Sequence, residues 1–195
     1  MENNKPKITD EQLIKDFQNG NEVAFTRLVN RYKDRIYNFI HKYVHDMDLA
    51  QDLTQDTFLK LYTHKNTYRE IAKFSTWLYT IALNLARTEL RKKKRRKTYA
   101  VSDLSTKDRE FILSSDSNVI KDSTVEKNDL SLIMNACLKQ LSEEFKTMII
   151  FRDFQELSYD VISKIMDIPI GTVKSRINRG RFKLLKLLKE KGYSK

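Results

Sequence analysis

The sequence predicts an all-α protein made of two small helical domains joined by a flexible linker. Three observations predict it. Only four Gly and two Pro occur in 195 residues, so strong turn signals are scarce. Apolar residues recur mostly at spacings of three and four, the period of a helix face. Between two such periodic stretches lies a segment, Thr98 to Lys127, rich in Ser, Asp, Lys and Thr and poor in periodic signal. The expected division is therefore 1–97, a linker over 98–127, and 128–195. At 40% hydrophobic residues, each half can bury a modest core.

The elements follow in order. Thr9 and Gln12 form a capping-box pattern for a first helix carrying Leu13, Ile14 and Phe17, which Asn19 and Gly20 end. A second helix is expected from about Glu22 to Val44, with a long stripe through Phe25, Leu28, Val29, Tyr32, Ile36, Phe39, Ile40 and Tyr43. A third runs from about Asp48 to Thr63. After the polar stretch HKNTYREIAK, Ser75 or Thr76 is expected to cap a long helix that passes Trp77 and ends in RKKKRRK. Trp77, beside Leu78 and Ile81, reads as core.

The third helix carries Asp48, Asp52 and Asp56 at intervals of four, with Gln51 and Gln55 beside them, and packs through Leu49, Leu53, Phe58 and Leu61. Three carboxylates raise the question of a metal. A straight helix face rarely encloses an ion, and no His or Cys stands among them, so no metal site is expected there. An acidic docking face for a basic protein helix fits better, beside the plain alternative of a solvated surface.

From Leu157 to Leu188 the chain reads as two helices around a tight turn. Ser158 can cap the first, whose apolar face is Val161, Ile162, Ile165 and Met166. Pro169 breaks the pattern, Gly171 is expected to supply positive φ, and Thr172 to cap the second helix. Val173, Ile177 and Leu184 then face inward, leaving Lys174, Ser175, Arg176, Asn178, Arg179 and Arg181 outward. These are side-chain types that read base edges and phosphates from a major groove.

Charge supports a polyanionic partner. The net charge is +11, but Arg87 to Lys97 holds eight basic residues and one acidic, and Lys174 to Lys195 nine basic and one acidic. The rest of the chain is therefore net −4. Two separated basic footprints on a mildly acidic body point to two salt-sensitive contacts with nucleic acid.

Catalysis has no visible apparatus. His41 and His45 stand one helical turn apart without an evident third ligand, and His64 falls on another element. There is no phosphate-binding GxxxxGK[ST] loop and no nucleophile paired with a base, so neither enzyme activity nor cofactor is expected. Cys137, among Leu132, Ile133, Ala136 and Leu141, reads as a core thiol. No apolar run is long enough to span a bilayer, and MENNKPKITDEQ lacks a signal-peptide core, so a soluble cytoplasmic protein is expected.

Three blocks, in this order, resemble the extracytoplasmic-function (ECF) class of bacterial sigma-70 family RNA polymerase sigma factors. DLAQDLTQDTFLKLY resembles regions 2.1 to 2.2, FSTWLYTIALNLARTELRKKKRR regions 2.3 to 2.4, and LSYDVISKIMDIPIGTVKSRINRGRFKLL region 4.2. The resemblance implies promoter recognition and transcription initiation. Asp52, Leu53, Gln55, Asp56 and Phe58 match the helix that docks on the polymerase β′ clamp coiled coil. Tyr68, Arg69, Glu70 and Lys73 match a loop that captures an extruded minus-10 base, and Asn84, Arg87 and Arg91 the helix face beside that strand; Trp77, core by its neighbours, also matches an aromatic position involved in duplex opening in larger sigma factors. Lys174, Ser175, Arg176, Asn178, Arg179 and Arg181 match the minus-35 contacts. Leu141, Phe145, Met148, Ile149 and Phe151 match the region 4.1 core and its contact with the β flap, and an anti-sigma factor is implied as a partner. Val161 and Asp167 depart from common family residues, so base preference does not transfer. The alternatives are a stand-alone helix-turn-helix regulator, which needs neither docking carboxylates nor a strand-capturing loop, and a nuclease or recombinase, which needs metal ligands or a nucleophile on the DNA path.

Overall fold

The computed structural model describes residues 8–102 and 126–193, and among these the regular structure is helical, without strands. The first helix, α1 (Asp10–Gln18), begins with the expected capping box: Gln12 N–H donates to Thr9 Oγ1 at 3.2 Å, and Thr9 N–H to Gln12 Oε1 at 3.0 Å. Gly20, at φ 98°, turns the chain into α2 (Glu22–Val44). Asn21 caps α2 by accepting from the amides of Val23 and Ala24. His45 stops it in the left-handed region, at φ 58°. Asp46 then accepts from Leu49 N–H to open α3 (Met47–Thr63), so two residues suffice to fold α3 back along α2.

The long helix α4 (Phe74–Ser102) starts earlier than expected, and neither Ser75 nor Thr76 caps it. The amide of Phe74 instead donates to the Glu11 carboxylate of α1 at 3.2 Å. Tertiary contact supplies a partner that local sequence would otherwise provide. The helix also continues through Thr98–Ser102, the start of the expected linker. Phe111, Ile112 and Leu113 lie outside the described residues.

The second half contains α5 (Glu126–Gln140), α6 (Glu143–Ile149), a π-helical turn over Ile150–Phe154, α7 (Tyr159–Met166) and α8 (Ile170–Glu190). Ser158 caps α7 through Val161 N–H, as its sequence foretells. The following turn is built differently from expectation. Asp167, not Gly171, takes the left-handed conformation, at φ 52°, since a short Asp side chain tolerates that region better than most. Pro169, extended at ψ 144°, precedes α8, which places Gly171 and Thr172 inside its first turn. Ser163 Oγ donates to the Ile168 carbonyl at 2.5 Å and closes the corner.

Close approach fixes the angle of α8 against α6. A Cβ at Gly180 would meet Ile149 Cγ1 at 3.2 Å and Phe145 Cβ at 3.4 Å, so the helices touch where that side chain is missing.

The apolar core does not stop at the boundary between halves. Leu28, Ile36, Phe39 and Tyr79 of the first half share a continuous buried cluster with Met148, Phe151, Ile162 and Ile177 of the second, while Cys137, Leu138, Leu141, Ile149 and Leu184 form a smaller one. Polar bonds frame the junction. Lys146 Nζ donates to the Tyr43 carbonyl at 2.9 Å, Tyr79 OH to Gln155 Oε1 at 2.8 Å, and Arg35 to the Gln155 carbonyl at 3.2 Å. The sequence leads one to expect two tethered bodies; the structure packs them together.

Candidate nucleic-acid interface

The acidic stripe emerges as drawn from its spacing. Asp48, Asp52 and Asp56 are exposed along α3 with Gln51 and Gln55, and among the described residues none of the three carboxylates is in an ion pair. Leu53 and Phe58, expected with Asp52 and Asp56 at a partner surface, are 2% and 8% exposed. They anchor the helix from below and are not available for contact. Leu59, one turn beyond Gln55, is 61% exposed and adds an apolar spot that the sequence reading missed. Its signal was there: it falls outside the buried period of Leu53, Phe58 and Leu61.

The segment between α3 and α4 is held from beneath. Gln18 Nε2 donates to the carbonyls of Lys65 and Tyr68 at 2.7 and 3.1 Å, and the Ile71 amide to the Arg69 carbonyl at 2.7 Å. Tyr68, expected to stack on a captured base, is turned inward. Its hydroxyl donates to the Ala72 carbonyl at 2.9 Å, and its ring packs 5.4 Å from Trp77 and 6.0 Å from Phe74. Burying a large ring beside two others outweighs exposing it, so Tyr68 shapes the loop rather than offering a face. Trp77 is half-buried in the same group, on the core side of α4. Arg69, Glu70 and Lys73 are exposed, Glu70 in an ion pair with Lys15 of α1. Among the described residues the most exposed large apolar side chain is Ile71, also missed, at the edge of this loop.

Along α4, Asn84 and Arg91 are exposed, and the charges from Arg91 to Arg96 are displayed by a continuous helix rather than a loose tail. Arg87, between them on the same face, is half-covered. Its Nε donates to Glu143 Oε1 at 2.9 Å, and the sulfur of Met166 lies 4.0 Å from Nη2. The same Glu143 oxygen accepts the Tyr43 hydroxyl at 2.7 Å. Burial by itself pushes the Glu143 carboxyl up, but the bonds from Tyr43 and Arg87, with the charges of Arg87 and Lys146, hold it below the usual range.

On α8, Val173, Ile177 and Leu184 are buried, and Lys174, Ser175, Asn178 and Arg179 stand exposed on one edge. Arg179 Nη2 donates to Ser175 Oγ at 3.1 Å. The other two expected contacts are tied down by carboxylates: Arg176 is 3.5 Å from Glu144, and Arg181 is gripped by both oxygens of Asp153 from the π-turn. The sequence correctly places all six off the apolar side, but long-range acidic partners engage Arg176 and Arg181, while among the described residues the other four have no carboxylate partner.

No group of three or more metal-ligating side chains is assembled among the described residues, and no helix among them is long and apolar enough to cross a membrane. His45 lies at the junction with its Nε2 unpartnered. Burial, then the charges of Lys146 and Lys139, lower its pKa to about 3.

Residues 28–96 match the family model of sigma-70 region 2, and residues 131–184 that of sigma-70 region 4. The chain belongs to the sigma-70 family, as an RNA polymerase sigma factor of the ECF class. It is 35% identical over 177 residues to the RNA polymerase sigma-H factor of Pseudomonas aeruginosa, covering 88% of this chain and 90% of that one. To the ECF sigma factor SigW of Bacillus subtilis it is 33% identical over 179 residues, covering 91% and 95%. The sigma factor RpoE, solved in complex with the anti-sigma factor NepR from Bartonella quintana, superposes with a TM-score of 0.61 at 26% identity, covering 85% of this chain and 96% of that one. Possession of both regions in one chain separates it from a stand-alone helix-turn-helix regulator.

Proposed function

We propose that this sigma factor docks on core polymerase through the α3 stripe, with Asp52, Gln55 and Asp56 as the contacting groups and Leu59 beside them. Exposed Arg69, Lys73, Asn84 and Arg91, with Arg87 once released, serve the opened minus-10 strand. Lys174, Ser175, Asn178 and Arg179 serve the minus-35 duplex. The division of labour follows from chemistry: carboxylates repel DNA and suit a basic protein surface, whereas the two cationic surfaces suit phosphate and base edges. The single observation that carries this reading is the display, on one helical frame, of an exposed acidic stripe, unpaired among the described residues, and two separate basic surfaces.

The protein acts by binding and leaves bond formation to the polymerase, so it is read as a non-enzyme that works without a cofactor in the cytoplasm. Each DNA contact is weak alone, and mounting both on one polymerase raises their effective concentration. An anti-sigma factor is proposed as a further partner, on the likeness to RpoE, whose solved structure contains one. Run-off transcription with bacterial core polymerase tests the reading. Addition of the protein is expected to produce discrete start sites, and their absence on every genomic fragment would overturn it.

A further inference from the structure

Helix α1 grips the segment between α3 and α4 at both ends. The side-chain amide of Gln18 donates to two carbonyls of that segment, Lys65 at 2.7 Å and Tyr68 at 3.1 Å, and so clasps the tight turn Lys65–Thr67 that lies between them. Lys65 returns the grip. Its ammonium donates to the Phe17 carbonyl at 3.0 Å and stands 4.1 Å over the centre of the Phe17 ring, a favourable place for a cation because the last carbonyls of α1 lack helical partners. At the far end the Phe74 amide donates to the Glu11 carboxylate, and midway Glu70 pairs with Lys15. Tyr68 OH, bonded to the Ala72 carbonyl, spans the segment from inside. Residues 69–73 thus form a short arc pinned at Tyr68 and Phe74, with Arg69, Ile71 and Lys73 exposed on it.

We propose that Gln18 is a positioning residue for base capture: through the backbone of Lys65 and Tyr68 it holds the arc in the shape that receives an extruded minus-10 base, without touching the strand itself. Extracting a base from its stack costs free energy, and a slack loop would add the cost of ordering itself at the same moment. An arc fixed beforehand avoids the second cost. Among the groups of α1, Gln18 is the one suited to the task. The Lys15–Glu70 pair is more than half exposed on both sides and contributes little. Glu11 acts on the first turn of α4, where it serves helix capping. Gln18 is half-buried, and its NH2 group offers two N–H bonds at a fixed spread to two backbone oxygens, so the grip does not depend on which side chains the arc carries. A glutamate there would keep the shape, offer no donor and set a negative charge against both carbonyls.

This inference rests on the assignment of the arc to the minus-10 strand, and its test separates the two. Holoenzymes carrying wild type, Gln18→Glu or Gln18→Lys are titrated with a fluorescein-labelled single strand that bears the non-template minus-10 sequence of a promoter from which wild type initiates. A companion set of strands replaces each base in turn by an abasic site. For wild type, one position should stand out, its abasic form binding roughly tenfold more weakly, as expected for loss of one stacked base. In Gln18→Glu that penalty should shrink to about twofold or less while the penalties elsewhere stay as they were. Gln18→Lys, whose ammonium can donate to both carbonyls, should restore the wild-type profile; its added charge raises affinity for every strand alike and cancels in the ratio. A tenfold penalty that persists in Gln18→Glu overturns the proposal, and so does a Gln18→Glu chain that no longer binds core polymerase, because the residue then serves folding. Failure of Gln18→Lys to restore the profile overturns the donor argument. A wild-type holoenzyme with no position sensitive to base removal defeats the capture reading itself.

Discussion

Phe39 of α2 and Phe151 of the π-turn stack 12° from parallel with ring centroids 4.8 Å apart, across the boundary between the two family regions. Tyr79 meets both rings edge-on, 5.6 Å from Phe39 and 5.8 Å from Phe151, and all three are fully buried. Removing one ring leaves the other two facing a void. Phe151→Ala should therefore cost about 3 kcal/mol or more in guanidinium denaturation, and should lower the melting temperature of both halves rather than of the second alone.

The junction is also expected to respond to acid. His45 titrates at about 3 in the folded chain against an ordinary value of 6.5, because burial and the neighbouring Lys146 and Lys139 disfavour its cation. A depressed folded pKa means the stabilisation is complete above pH 6.5 and is lost progressively as pH falls from there toward 3. Between pH 7 and pH 5 the carboxylate of Glu143, held below its ordinary 4.5, stays charged and does not interfere. Denaturation at those two pH values should show a larger loss for wild type than for His45→Asn, which keeps a residue tolerant of the left-handed backbone but cannot titrate. Equal losses would remove His45 from this account.

Gly180 offers a contest between two effects of opposite sign. In an isolated helix, Gly180→Ala would gain about 1 kcal/mol from propensity. Here the new methyl would meet Ile149 Cγ1 at 3.2 Å and Cδ1 at 3.3 Å, and Ile149 is fully buried. Overpacking of this kind costs about 1–3 kcal/mol. The variant should be less stable than wild type by thermal denaturation, and its footprint on upstream DNA should blur as α8 is levered away from α6.

The acidic stripe gives a prediction about binding rather than folding. Asp52 and Asp56 are exposed and free of ion pairs among the described residues, so Asp52→Arg with Asp56→Arg should change stability by no more than about 0.5 kcal/mol each. Co-purification with core polymerase should nonetheless be lost. Leu53→Ala is the informative contrast. At 2% exposure it should cost about 2–5 kcal/mol of stability, and weaken polymerase binding only as far as it disturbs α3.

Much of this was legible in the residues, for identifiable reasons. The bounds of α2 follow from the break at Asn19 and Gly20 and a stripe of unbroken period, and the outward set on α8 from Val173, Ile177 and Leu184. What the sequence could not convey was the identity of distant partners. Phe39 and Phe151 each read as core, and helical period says that a side chain turns inward without saying onto what. The same limit explains Tyr68, an aromatic in a polar stretch whose burial depends on Phe74 and Trp77. It also explains Arg181, whose partner Asp153 lies 28 residues away. At the turn before α8, glycine's tolerance of positive φ points to Gly171, yet the residue that adopts it is Asp167.

The central claim is that one chain reads two separate promoter elements through distinct surfaces. Hydroxyl-radical footprinting of the reconstituted holoenzyme on a promoter from which it initiates tests this directly, with Arg179→Ala, Arg181→Ala and Arg91→Ala compared to wild type. Arg179 is free to reach bases, so its loss should weaken upstream protection by about 1–3 kcal/mol and relax base preference there, leaving downstream protection in place. Arg181, gripped by Asp153, should alter base preference much less, and Arg91→Ala should weaken the downstream patch alone. Upstream and downstream protection that fade together in all three variants, or persist unchanged in all three, would contradict the account.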